Sequence, residues 1–429
     1  MPAFLRAPRM LFIAVTVILV LLGVVMVFSA SSVTAVTTGT DMYRPMIKQL
    51  AFALVGLVAI AVLNLAPYSV WTRWLFWAFW ILCMILLVLT LFFGEEYLGA
   101  RRWLKVGELF TFQPSEFAKI AIVMAGLRCV QNYKADGSNL KLVLSFTGLA
   151  LLPTGFIFVA QNDFGTTLII VIGLIAVLLF SGINLRVFLP LVVVLILLAL
   201  VLLTSGGFRS SRIDVWLNPW NDGDGGYGTG WQSIRARYAF ACGGLFGVGL
   251  GNSYEKFQYL PMSESDFIYA VIGEELGFVG AIAVVLLFLL FLVSGLMISQ
   301  RAEDEFGSVL AASLVCMLVF QAFVNMGCAT GLLPTTGKPL PFVSAGLSSL
   351  GSSLMIVGIV LQINRGGAGV DLHEKRRDNL RLIRVEHDQA IPHQGHQGRG
   401  SGHPGSSYGP NHRIGPGLYG SGIQDWSRR

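Results

Sequence analysis

The chain has 429 residues, of which 54% are hydrophobic and 13% are charged, and its formal net charge is +6. Water-soluble domains carry about 25% charged residues, so this composition excludes an ordinary soluble globular protein. All six histidines lie beyond residue 372, which excludes imidazole from acid–base or metal chemistry in the rest of the chain. Such chemistry must therefore use carboxylates, lysines or tyrosines.

Apolar runs of about 20 residues, long enough to cross a bilayer as helices, recur over the first 364 residues. We predict an all-α polytopic membrane protein with ten transmembrane helices. The predicted spans are residues 10–30, 49–66, 70–93, 116–130, 142–160, 166–181, 187–204, 267–299, 308–330 and 340–363. Lysine- and arginine-rich short loops stay cytoplasmic, which places both termini inside and the long loop between spans seven and eight outside.

The predicted outer loop 94–115 carries Arg101, Arg102 and Lys105 on the side where basic residues are disfavoured. This exception indicates an anionic ligand, such as a phosphate at the outer leaflet. The alternative is that these residues are ordinary solvated loop charges.

Ionisable residues inside membrane spans are costly and usually face a cavity or a partner. Glu116 and Lys119 are three residues apart, so they share a helix face and can pair. They form either the charged wall of a substrate cavity or a self-satisfied pair at the helix end. Glu274 and Glu275 are adjacent and point in different directions, so at least one needs an internal partner. We expect them to be structural or gating groups.

Two aspartates precede predicted spans at the outer boundary of the membrane. Asp266 ends the long loop, and Asp163 lies in the short loop before the sixth span. Either carboxylate could be a helix N-cap. Asp266 is also placed to act as a base toward a sugar hydroxyl on a lipid-linked substrate.

The long outer loop 205–265 is rich in arginine and tryptophan and includes Arg209 and Gln232. Tryptophan anchors proteins at membrane interfaces. Aromatic faces also stack on sugars, and arginine pairs bidentately with phosphate. The glycine run at 243–251 has no preceding strand, so it predicts close backbone approach and not a nucleotide-binding loop.

Residues 365–429 differ from the membrane domain at 1–364. They are basic and rich in glycine, serine and histidine, with little apolar periodicity, which predicts a largely disordered cytoplasmic tail. Its first part could contact anionic membrane lipids.

Four segments taken together resemble the SEDS family of shape, elongation, division and sporulation proteins. They are GARRWLKVGELFTFQPSEFAK (99–119), QNDFGTT (161–167), GGLFGVGLGNSYEKFQYLPMSESDFIYAVIGEELGFVG (243–280) and NMGCATGLLPTTGKPLPFVSAGLSSL (325–350). The resemblance implies a peptidoglycan glycosyltransferase that polymerises lipid II at the outer face of the cytoplasmic membrane. It also implies a class B penicillin-binding protein and other divisome proteins as partners. The polar tail and the third segment favour the septal, cell-division branch.

Residue roles follow from the matching motifs. The resemblance places the family's essential aspartate at Asp266 and its outer-loop motif at Arg102 and Trp103. Its glutamate–lysine pair falls on Glu116 and Lys119, and its short-loop aspartate on Asp163. Further substrate-binding candidates in the last segment are Lys338, Ser344 and Ser348.

Two positions depart from the family pattern. Asn162 stands where proline is usual, which we expect to loosen the turn. Leu347 stands where a glycine is usual in the S-x-G-G-S-S turn. If that position needs a positive φ, leucine would be strained by about 1 kcal/mol or more.

Joining a sugar hydroxyl to a lipid diphosphate sugar needs a base and cationic groups for the leaving diphosphate. We expect Asp266 to be the base, and Arg101, Arg102, Lys105, Lys119 and Arg209 to be candidates for the diphosphate. The sequence implies no cofactor, metal cage or nucleic-acid partner, although it leaves open a divalent cation between carboxylate and diphosphate. The alternatives are a lipid II flippase and a non-catalytic divisome scaffold.

Overall fold

The computed structural model describes residues 3–37, 39–63, 75–97, 100–107, 110–204 and 213–363. The predictions for Arg209 and for the tail 365–429 lie outside these residues. The helices before the long loop are α1 (Ala3–Thr37), α2 (Arg44–Leu63), α3 (Phe76–Phe93), α4 (Pro114–Asp136), α5 (Asn139–Val159), α6 (Phe164–Phe180) and α7 (Leu185–Thr204). Those that follow are α8 (Trp231–Gly243), α9 (Ile268–Glu275), α10 (Gly277–Ser299), α11 (Glu305–Ala329) and α12 (Leu347–Ile363).

Each of the ten predicted spans coincides with helix over most of its described length. Six helices in the described ranges, α1, α2, α3, α5, α10 and α11, are long and apolar enough to cross a membrane. Helices α6, α7 and α12 are apolar but shorter by the same measure. The helical, membrane-embedded character is therefore confirmed, while the number of crossings stays a prediction.

Local chemistry fixes the ends of the central helices. Helix α4 begins with Pro114, whose missing N–H costs nothing in the first turn. It ends at Asp136, and the C-cap residue Gly137 has a φ of 67° and donates its N–H to the Tyr133 carbonyl. Helix α11 is capped by the Asp304 side chain, which accepts from Gly307 N. Helix α11 is buried over most of its length, and α4 is largely buried from Pro114 to Val130. The two helices pack against each other and against α6.

A small sheet follows α3 and was not expected from the sequence. Strands β1 (Glu95–Tyr97), β2 (Ala100–Val106) and β3 (Phe110–Phe112) form a three-stranded antiparallel sheet within the described residues. The cross-strand register sets Glu96 opposite Arg101. The sheet therefore brings the acidic end of this loop next to its basic stretch.

The long loop contains a helix, α8, and a glycine-rich turn that packs on the junction of α9 and α10. A Cβ added at Gly243 would lie 2.0 Å from the Gly273 carbonyl oxygen, and one at Gly247 would lie 2.1 Å from that of Glu275. Only glycine permits such contact between backbones. The predicted close backbone approach is confirmed.

One carboxylate organises the first part of that loop. Asp222 accepts hydrogen bonds from backbone N–H groups of the residues that follow it. The donors are Asp224, Gly226, Gly228 and Gly230. The hydrogen bonds from Gly226 and Gly230 contribute most to lowering the pKa of Asp222 to about 2.

Candidate functional site

Four charged side chains meet in the interior of the bundle, and we call them the buried charge cluster: Glu116, Lys119, Asp163 and Lys338. Lys119 Nζ lies 2.6 Å from Glu116 Oε2. Lys338 Nζ lies 2.9 Å from Asp163 Oδ2 and 3.7 Å from Glu116 Oε1. All four are at most 4% exposed. Two carboxylates thus face two ammonium groups, so the cluster is neutral as a whole.

Neutral polar groups complete the cluster. Gln113 Nε2 donates to Asp163 Oδ2 at 3.1 Å, and Thr166 Oγ1 donates to the same oxygen at 2.8 Å. Lys119 Nζ also donates to Gln321 Oε1 at 2.9 Å, and Ser352 Oγ donates to Glu116 Oε2 at 3.3 Å. Glu116 and Lys119 therefore pair as their spacing predicts, but they belong to a larger network and not to a self-satisfied pair.

Asp163 is the N-cap of α6, since its side chain accepts from Thr166 N at 3.1 Å. The N-cap alternative is therefore confirmed for this residue. Burial raises the pKa of its carboxyl, but nearby Lys338 and Arg102 and the hydrogen bond from Thr166 more than offset this and hold the pKa at about 2. The Asp163 carboxyl is thus ionised at neutral pH.

Asp266 lies one residue before the N-cap position of α9, which is Phe267 and makes no side-chain capping bond. The capping position predicted for Asp266 is therefore occupied by Phe267. Asp266 is half-buried. A Cβ added at Gly337 would lie 3.5 Å from Asp266 Oδ2, so the carboxylate adjoins the backbone just before Lys338.

One amide joins Asp266 to the buried charge cluster. Asn325 Nδ2 donates to the Asp266 carbonyl at 2.8 Å and to the Lys338 carbonyl at 2.7 Å. The segment before Asp266 is also tied to the loop that precedes α12, because Ala345 N donates to the Glu264 carbonyl at 2.8 Å and Ser344 Oγ donates to the Ser265 carbonyl. The segment carrying Asp266 is therefore fixed by contacts from two other parts of the chain.

The serines predicted to bind substrate have backbone partners. Ser344 Oγ accepts from Leu340 N at 2.8 Å as well as donating to Ser265. Ser348 Oγ accepts from Gln113 N at 2.9 Å. The Ser344 hydroxyl thus joins the loop before α12 to the segment before Asp266, and the Ser348 hydroxyl joins the first turn of α12 to the residue before α4.

Arg102 reaches from the sheet to the turn before Asp163. Its Nε donates to the Gln161 carbonyl at 2.8 Å, and its Nη2 donates to the Asn162 carbonyl. The neighbouring Trp103 is half-buried on β2. The Arg102 guanidinium thus stabilises the turn that leads to the negatively charged Asp163.

The other basic residues of the outer loop lie on the surface of the sheet. Arg101 Nη2 is 3.5 Å from Glu96 Oε2, and Lys105 Nζ is 3.4 Å from Glu95 Oε1. All four side chains are at least half exposed. The unfavourable basic charge is therefore locally compensated. Gln232 is half-buried in the first turn of α8, apart from these groups in sequence.

Both departures from the family pattern have backbone conformations that differ from expectation. Leu347 is the first residue of α12, and it is not among the residues with positive φ. The condition for strain at Leu347 is therefore not met, because helical geometry needs no glycine. Asn162 has a φ of 51°, which proline cannot adopt. The turn is therefore of a different kind, and Arg102 holds it, so asparagine does not simply loosen a proline turn.

Glu274 and Glu275 have internal partners, as predicted. Glu275 Oε1 lies 2.8 Å from Lys256 Nζ and accepts from Ser29 Oγ at 2.7 Å. Glu274 accepts from Tyr254 N at 2.7 Å and from Ser253 Oγ. Both carboxylates are buried, and they bind the start of the segment that leads to Asp266.

Sequence reasoning missed Asn325 and Gln321, which hold the backbone around Lys338. Gln321 Nε2 donates to the Pro339 carbonyl at 3.1 Å, in parallel with the bond from Asn325 to Lys338. A signal was present, because these amides are four residues apart in an otherwise apolar span and so share one helix face. No grouping of metal-ligating side chains occurs within the described ranges.

Comparison with known proteins agrees with this architecture. The family described as "Cell cycle protein", which groups FtsW, RodA and SpoVE, matches residues 9–367. Stage V sporulation protein E of Bacillus subtilis (strain 168) is 37% identical over 363 residues, or 84% of this chain and 97% of that protein. The probable peptidoglycan glycosyltransferase FtsW of Mycobacterium tuberculosis (strain ATCC 25618 / H37Rv) is 38% identical over 360 residues, or 83% of this chain and 67% of that protein.

Solved structures share the fold. One, described as the structural coordination of polymerization and crosslinking by a peptidoglycan synthase complex, has a TM-score of 0.65 at 25% identity and covers 83% of this chain and 97% of its own. RodA of Thermus thermophilus has a TM-score of 0.57 at 23% identity, with 82% of this chain and 95% of RodA covered. The chain is thus an integral membrane protein of the FtsW, RodA and SpoVE family of cell cycle proteins, which is the SEDS family its motifs resemble.

Proposed function

We propose that this protein is a peptidoglycan glycosyltransferase that polymerises lipid II into glycan strands. The observation that carries the proposal is the placement of Asp266, a half-buried carboxylate beside the backbone of Lys338 and joined to the buried charge cluster through Asn325. Relatives that share 37–38% identity with the chain are named probable peptidoglycan glycosyltransferases.

In the proposed reaction Asp266 is the general base. The acceptor sugar hydroxyl gives its proton to the carboxylate while its oxygen forms a bond to the anomeric carbon of the donor sugar. The bond from that carbon to the diphosphate oxygen breaks with inversion, and the polyprenyl diphosphate leaves with the electron pair. A base positioned in this way contributes about 10²–10⁴-fold to a rate.

Cationic groups near the outer end would stabilise the leaving diphosphate. Arg101 and Lys105 on the sheet carry exposed heads whose carboxylate partners a diphosphate could displace. We include Arg209 in this role, with Trp103 and Gln232 contacting sugar or peptide. The buried charge cluster, with Arg102, Ser344 and Ser348, supports the floor of the site.

The reaction is proposed to take place at the outer face of the cytoplasmic membrane, at the division septum. A class B penicillin-binding protein is the proposed partner that crosslinks the strands, with other divisome proteins nearby. Support comes from the similarity to FtsW proteins and to a peptidoglycan synthase complex that couples polymerization and crosslinking.

The test is polymerisation of purified lipid II by the purified protein, alone and with its class B partner. Asp266→Ala should abolish glycan product, and it keeps the Asp266 backbone carbonyl that accepts from Asn325. Thermal unfolding of the variant checks that it is folded. The matched control is Asp214→Ala, which removes an exposed carboxylate of the same loop. Polymerisation by Asp266→Ala would overturn the assignment of the base. Absence of product from the folded wild-type protein, together with lipid II crossing in proteoliposomes, would indicate a flippase instead.

A further inference from the structure

The segment that carries Asp266 is closed by contacts between its two ends. Lys256 lies ten residues before Asp266, and Glu275 lies nine residues after it. Their side chains form an ion pair at 2.8 Å, with Lys256 1% exposed and Glu275 fully buried. A loop whose ends are joined in this way has far fewer conformations open to it. Asp266 thus stands at the middle of a closed loop.

A residue of α1 completes the closure. Ser29 Oγ donates to the Glu275 carboxylate and lies 2.7 Å from Oε1 and 2.8 Å from Oε2. The same hydroxyl accepts from Lys256 Nζ at 3.1 Å. We call Ser29, Lys256 and Glu275 the clasp. Because Ser29 belongs to α1, the clasp joins the two ends of the loop to each other and also joins them to the helical bundle.

The loop inside the clasp holds strained backbone. Gln258 has a φ of 67° and Met262 has a φ of 55°. Residues other than glycine rarely adopt this left-handed region of backbone conformation. Such residues persist when their surroundings fix them. Met262 is directly involved in placing Asp266, because its carbonyl accepts from Ser265 N at 3.1 Å and from Phe267 N at 3.2 Å. Release of the clasp would let this strain relax.

We propose that Lys256, Glu275 and Ser29 are positioning residues for the reaction, which set the geometry of Asp266 through the strained loop. The inference rests on the proposed function. The residues of the clasp do not contact substrate in the proposed reaction, so loss of the clasp should lower kcat and leave KM for lipid II nearly unchanged. A buried ion pair is little screened by salt, so the effect should persist at high ionic strength.

The experiment separates positioning from folding by means of a double variant. Lys256→Met alone leaves the Glu275 carboxylate buried without its cation, so both thermal stability and kcat should fall. Adding Glu275→Gln removes that uncompensated charge, since replacement of both partners of a buried pair is often nearly neutral for stability. In Lys256→Met/Glu275→Gln we expect Tm to return close to the wild-type value, while kcat stays at least about tenfold lower. The control is Lys141→Met/Asp136→Asn, which removes an exposed ion pair with 2.9 Å between its charged atoms and should leave kcat unchanged.

Hydrogen–deuterium exchange of residues 257–267 provides a readout that does not depend on activity. Exchange there should be faster in the Lys256→Met/Glu275→Gln variant than in wild type. A double variant with kcat within twofold of wild type, or with unchanged exchange, would overturn the proposal. If wild type makes no glycan, the proposed function fails, and unchanged exchange would then overturn the clasp separately.

Discussion

Lys338 and Asp163 form an ion pair with 2.9 Å between Nζ and Oδ2, although 175 residues separate them in the chain. The pair joins the loop after α11 to the N-terminus of α6, and both side chains are at most 4% exposed. Because Gly337 adjoins Asp266, this ion pair also fixes the backbone beside the proposed base. Both the packing of α6 against the loop after α11 and the position of the proposed base Asp266 therefore depend on Lys338.

We expect Lys338→Met to destabilise the protein by about 3–5 kcal/mol, because it leaves the Asp163 and Glu116 carboxylates buried beside one lysine instead of two. Thermal unfolding in detergent measures the effect. Lys141→Met removes an exposed lysine that lies 2.9 Å from Asp136, and it should cost about 0–1 kcal/mol. Equal melting temperatures for the two variants would contradict a structural role for Lys338.

Asn325→Asp should lower kcat by about 100-fold with a smaller change in KM, because a carboxylate would replace the amide that donates to the Asp266 and Lys338 carbonyls. Repulsion between the new oxygen and those carbonyls would shift both backbones. Lipid II polymerisation rates measure the effect, and Asn132→Asp on the exposed surface of α4 is the control. Wild-type kcat in Asn325→Asp would show that the bridge is dispensable.

Asn162→Pro should destabilise the protein by more than about 1 kcal/mol, although proline is usual at this position in the family, because the observed φ of 51° is closed to proline. Asn162→Gly should destabilise the protein less than Asn162→Pro does, since glycine adopts this conformation readily. Melting temperatures of the pair provide the comparison. A proline variant as stable as wild type would mean that the turn can re-form.

Leu347→Gly should not raise activity and should lower stability by up to about 1 kcal/mol, because glycine is a poorer helix former than leucine at the start of α12. Polymerisation and thermal unfolding of the same preparation test both statements. Increased activity of the glycine variant would restore the idea of a strained turn.

The order of the outer loop should depend on Asp222 and on pH. The pKa of Asp222 in the folded protein is about 2, below the ordinary 3.8. The stabilisation of the loop by the ionised carboxylate is therefore complete above pH 3.8 and is lost as pH falls through about 2. Asp222→Asn should loosen the loop already at neutral pH, because an amide N–H₂ would face the N–H groups of Gly228 and Gly230. Hydrogen–deuterium exchange of residues 222–231 measures this. Asp224→Asn is the control, and equal exchange in both variants would refute the role.

Local sequence patterns predicted much of the fold and only part of the site. The helices follow from the length of apolar runs, and the Glu116–Lys119 pair follows from spacing on one helix. The Lys338–Asp163 pair and the clasp depend on contacts between segments that are far apart in the chain. Such contacts cannot be predicted from the spacing of residues within one helix or strand. The sheet was missed because its strands are short and lie in a loop that was interpreted through charge alone. The conformation of Leu347 could not be predicted from the motif, because it depends on where helix α12 begins.

The clasp also bears on how the chain enters the membrane. A glutamate near a bilayer is costly until it meets a cation or a hydrogen-bond donor. Synthesis runs from the N-terminus, so Ser29 and Lys256 both emerge before Glu275. The order of the residues along the chain therefore makes both the hydroxyl and the ammonium group available by the time that the Glu275 carboxylate is synthesised.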